Sequence, residues 1–185
     1  MKKIMKNAIF TILFSVLIIL ALFLAYLFLY ASNDRNLSGK WTADLDMTGQ
    51  AAVTALGWLQ DMEAVSVSLQ DMEARMQGLT VKLDLTLEQT ARSGGTFVST
   101  VRQESYAACS QAAYEAFAAV FRELVAERLR MAGYNGGTDR EAVEALITET
   151  FGMSTVSYLM SCGPALLPSL EALQARYDGS GTYEA

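Results

Sequence analysis

The chain has 185 residues, of which 18% are charged, with two cysteines, two prolines and no histidine. The lack of histidine excludes a Ser-His-Asp triad, a Cys-His pair and imidazole metal ligands, and two cysteines cannot build a four-thiolate zinc site. Residues 1–31 carry three lysines and no acid, net +3, while the remaining 154 residues set 11 basic against 20 acidic side chains, net −9. The basic residues are scattered, so there is no phosphate-tracking stripe and nucleic acid is excluded as a partner.

From Ala8 to Ala31 run 24 residues without a charge, Gly or Pro, where about 20 suffice to cross a bilayer as a helix. Lys2, Lys3 and Lys6 precede this stretch, and Asp34 is the first charge after it. The expectation is therefore a single-pass signal anchor with a cytoplasmic N-terminus, the membrane as a partner through residues 8–31, and an extracytoplasmic remainder. The apolar run is longer than a signal-peptide core, and Leu29-Tyr30-Ala31 is a poor cleavage site, which favours an uncleaved anchor.

After a polar linker over 32–38, Trp41, Ala43, Leu45 and Met47 alternate with polar residues, predicting a strand near 39–48. A helix is expected near 50–61, followed by a weaker extended stretch at Val65, Val67 and Leu69. Val81, Leu83, Leu85 and Leu87 predict a strand near 79–90. Arg92-Ser93-Gly94-Gly95 reads as its turn, with a returning strand near 95–103.

The period then becomes helical, predicting a helix near 105–132 with Tyr106, Cys109, Ala113, Phe117, Val120 and Phe121 on one face. Thr138-Asp139-Arg140-Glu141 reads as a capping box for a helix near 139–151. Ser154 or Thr155 caps the next, near 154–162, and a last helix is expected near 165–177. Thr182-Tyr183-Glu184 opens a final strand. The whole is an α+β chain: a transmembrane helix, then a small antiparallel sheet with a multi-helix insertion.

Leu37-Ser38-Gly39-Lys40-Trp41, opening a strand just past an apolar segment, resembles the lipocalin-like Gly-x-Trp domains of exported Gram-positive bacterial proteins. The later order of a Leu-rich strand, a Gly-rich turn, a returning strand, a helical insertion and Gly-Thr-Tyr adds to the likeness. The resemblance implies a partial barrel over about half of residues 39–185. In it Gly39 lets the first strand begin tightly and Trp41 is a structural plug.

Candidate chemistry is sparse. Asp44-x-Asp46-x-Thr48-Gly49 looks like half a calcium loop, but the position for its bidentate Glu is Ala55. Cys109 and Cys162 are either a disulfide between two helices, worth about 4 kcal/mol by loop entropy, or two buried thiols. The carboxylate pairs Asp61 and Glu63, Glu123 and Glu127, and Glu141 and Glu144 fit solvated helix faces better than acid-base machinery. No glycine-rich phosphate loop is present, so no nucleotide cofactor is implied, and no catalytic, cofactor-binding or metal-ligating residue is assigned.

The resulting expectation is a non-catalytic, membrane-anchored extracytoplasmic domain that binds a hydrophobic small molecule or a protein partner at the cell envelope. One alternative is an accessory or assembly subunit working through the Ala-rich helix from Ala107 to Ala119. A carboxylate-dependent envelope hydrolase is the other.

Overall fold

A computed structural model describes residues 18–27, 37–60, 67–91 and 94–184. The chain is α+β. Helix α1 is described over 18–27, followed by β1 (Gly39–Asp46), α2 (Thr48–Gln60), α3 (Leu69–Arg75), β2 (Thr80–Ala91) and β3 (Gly94–Val101). Then come α4 (Gln103–Met131), α5 (Arg140–Phe151), α6 (Thr155–Cys162), α7 (Leu170–Tyr177) and β4 (Gly179–Glu184).

The expected membrane-spanning helix is overturned. Among the described residues no helix is long and apolar enough to cross a membrane. The single-pass signal anchor, the cytoplasmic N-terminus, the extracytoplasmic placement and the membrane as partner all rested on that span and are withdrawn with it. The rest of the apolar run, residues 8–17 and 28–31, lies outside the described residues, as does most of the linker.

The four strands form one antiparallel sheet in the order β1-β2-β3-β4, so β1 and β4 are its edges and the described sheet is open rather than a closed barrel. The alternation expected of β2 is present at its start, where Val81 and Leu83 are buried and Lys82 is exposed. Leu69, expected to be extended, instead begins α3, because Ser68 accepts the Asp71 N–H at 3.2 Å and starts a helix that buries Met72.

The chain divides into two compact units. One comprises Met1–Gly39, Thr86–Phe97 and Gly181–Ala185. Here the Gln89 N–H donates to Ser38 Oγ at 2.9 Å. Gly95 is needed where β2 and β3 approach, since a Cβ there would overlap the Glu88 carbonyl. The other comprises Lys40–Leu85 and Val98–Ser180 and holds the hydrophobic core.

In that core α4 is the central element. It packs against α5 and α6, and buries Cys109, Ala113, Phe117, Val120 and Phe121 with Val81, Leu83 and Val101 of the sheet. Two tyrosines of α4 fasten the proline-containing segment that follows α6: Tyr106 donates to the Pro168 carbonyl and Tyr114 to that of Pro164, each at 2.9 Å. Phe117 is fully buried, with Trp58 edge-on at 5.7 Å. Replacing Phe117 with Ala is expected to cost about 3–5 kcal/mol, read as a lowered urea midpoint with an unchanged slope.

Candidate functional site

The principal polar site lies on α4, α5 and α6. Ala118, Arg122 and Ala126 fall four residues apart on α4, which puts them on one stripe, and all three are buried. The small neighbours leave room for a guanidinium, and the Arg122 side chain is only 8% exposed. A charge taken out of water in this way requires a partner. Glu144 of α5 supplies it, with Oε2 2.8 Å from Arg122 Nη1.

The same carboxylate reaches α6. Its Oε1 accepts the Thr155 N–H at 2.9 Å and its Oε2 accepts the Thr155 hydroxyl at 2.6 Å. Burial pushes the Glu144 carboxyl upward, but the hydrogen bonds from Thr155 and Arg122, together with the Arg122 charge, outweigh it and hold the group below its ordinary value. Arg122 Nε is buried and has no acceptor.

Beside this node, a cleft of about 600 Å³ is lined by residues of α4, of α5 and of the loop between them. Its charged groups are Arg122, Arg130 and Arg140 on one side of the balance and Glu123, Glu127 and Asp139 on the other. Arg130 is positioned by the loop, its Nε donating to Thr138 Oγ1 at 3.1 Å. Asp139, rather than Thr138, is the N-cap of α5, accepting the Ala142 N–H at 2.9 Å. Glu123 is paired with Arg75 of α3 at 2.6 Å.

The residues singled out in the sequence are dispersed. Gly39 has φ 148°, a conformation that side chains rarely adopt, at the start of β1. Trp41 is 50% exposed. Asp44 and Asp46 are exposed on β1, and Asp46 Oδ1 accepts the Thr48 N–H at 2.8 Å, so it acts as a local cap. Among the described residues no three acidic or thiol groups gather as a metal site.

Cys109 and Cys162 are both free thiols, one buried and one exposed, and no bridge joins them. Asp61 and Glu63 lie outside the described residues. The pairing of Arg122 with Glu144 was missed. Its signal, an arginine at four-residue spacing between two alanines of an apolar stripe, was present in α4.

Glu144 generates a pH prediction. A carboxylate whose folded pKa lies below its unfolded value of about 4.3 contributes stability in full above that value and loses it as pH falls through the folded pKa. The urea midpoint should therefore fall on acidification below about pH 5, and Glu144→Gln should flatten that dependence. Glu144→Ala should cost about 2–3 kcal/mol at neutral pH, somewhat less than a fully enclosed pair because the side chain is 32% exposed. No protein-family model matches this chain, and neither a curated protein nor a solved structure is significantly similar to it.

Proposed function

We propose that this chain is a non-catalytic binding domain whose partner is a protein, and that a segment of that partner bearing both charge signs occupies the α4–α5 cleft. The observation that carries the reading is the cleft's lining. Three arginines and three carboxylates face about 600 Å³ of open space. A lone anion would compete with Asp139, whose carboxylate already occupies the N-terminal amide of α5. A peptide presenting a carboxylate to Arg130 and Arg140 and an ammonium group to Glu127 satisfies both signs.

A hydrophobic small molecule fits this cleft poorly, since burying its apolar surface here would also desolvate charged groups. The helix-packing alternative loses part of its surface, since Ala113 and Ala118 are buried in the protein's own core, while Ala107, Ala108 and Ala112 remain exposed. The hydrolase alternative is weakened because Glu123 and Glu144 are engaged by Arg75 and Arg122.

The test is fluorescence anisotropy of the full chain against labelled peptides of mixed, wholly acidic and wholly basic charge, alongside a fluorescent fatty acid. Mixed-charge peptides should bind best, weakening with added salt. Binding should fall about tenfold for each of Arg130→Glu and Arg140→Glu. Stoichiometric uptake of the fatty acid with no peptide binding would overturn the proposal.

A further inference from the structure

We propose that the outer edge of β1 is a self-recognition surface, pairing antiparallel about Ala43 with the same strand of a second copy of this chain. It shares no residue with the α4–α5 cleft. In the strand order β1 is an edge. The N–H of Met47, just past the strand, donates to the Leu79 carbonyl at 2.8 Å. Backbone direction alternates along a strand, so the backbone groups of Trp41, Ala43 and Leu45 turn toward β2. Those of Lys40, Thr42 and Asp44 turn outward, along the edge.

Such an edge is a template for another strand, and the side chains on this one are self-complementary. In antiparallel pairing, outward-facing residues must stand opposite one another. Centred on Ala43, the two copies set Lys40 against Asp46 and Thr42 against Asp44 as hydrogen-bonded pairs, with Trp41 against Leu45 between them. The two-fold axis repeats each pair. Two Lys-Asp contacts then lie on the exposed face, where Lys40, Asp44 and Asp46 are solvated in the single chain. Two Trp-Leu contacts lie on the other face, where Trp41 is 50% exposed and Leu45 packs on the core.

Competing partners for the two charges are already engaged or local. Lys40 attracts Asp84 through space, but the Asp84 carboxylate is held at two points by Arg102. Asp46 spends one oxygen on Thr48, whose hydrogen bonds hold its carboxyl below the usual range and keep it ionised. The opposite edge, β4, has the sequence GSGTYE, whose only charge is Glu184. It offers itself no cation, so the complementarity belongs to β1.

Sedimentation velocity of the full chain over a wide concentration range is the test. The unaltered chain should pass from monomer to dimer. Thr42→Pro removes an outward N–H in mid-edge, a place where an edge strand tolerates proline, and should weaken dimerisation about tenfold. Lys40→Glu and Asp46→Lys should each weaken self-association about tenfold by placing like charges opposite one another.

Mixed together, those two variants should restore a dimer of unaltered affinity. The glutamate introduced in one copy then faces the lysine introduced in the other, and the retained Asp46 of the first faces the retained Lys40 of the second across the axis. A monomer at every concentration would overturn the proposal. So would a dimer indifferent to Thr42→Pro, or growth beyond dimers as β1-to-β4 pairing would give. Should Asp46→Lys fail to fold by circular dichroism, Thr42→Pro decides alone.

Discussion

A guanidinium removed from water has to be met by an opposite charge, and the helical layer of this protein is organised around that requirement. Arg122 lies on the stripe of α4 that faces the core, Glu144 meets it from α5, and Thr155 completes the coordination of Glu144 from α6. Desolvation makes such a pair a poor source of net stability, while removal of either partner is costly. Its effect is to select one mutual arrangement of three helices. A helix sliding by one turn would leave a buried charge unmatched. Arg130 and Arg140 of the cleft belong to the same two helices that this pair joins.

Local features of the chain were legible because they depend on neighbours in sequence. The alternation of β2, the long apolar face of α4, and the breaks at Gly133 and Gly152, both at positive φ, arise from periodicity and glycine chemistry alone. The cap of α6 at Ser154 follows the same logic. Asp139 illustrates the limit of resolution, since the capping residue lies one place beyond the expected Thr138.

What was not legible depends on distance in sequence or on continuity. Arg122 and Glu144 are 22 residues apart, and nothing short-range links them. Leu69 reads as extended by alternation with serines, yet the cap at Ser68 and the burial of Met72 turn the segment helical. The apolar run at 8–31 satisfies a composition rule for spanning, yet among the described residues no helix is long and apolar enough to cross a membrane. Whether the sheet closes could not be read from the sequence either, since it depends on pairing between the distant first and last strands, and the strand order leaves β1 and β4 as edges of the described sheet.

The two thiols lead to a practical consequence. Cys162 is exposed, whereas Cys109 is 5% exposed on α4 and burial raises its pKa, so the thiolate that reacts with alkylating reagents is suppressed at one position and accessible at the other. Cys109 should therefore react slowly, and faster whenever the packing around α4 loosens, while Cys162 reports the intrinsic speed of the reagent in the same molecule. The chain thus carries a built-in clock for its own opening, with the slow hand and the reference hand supplied by its only two cysteines.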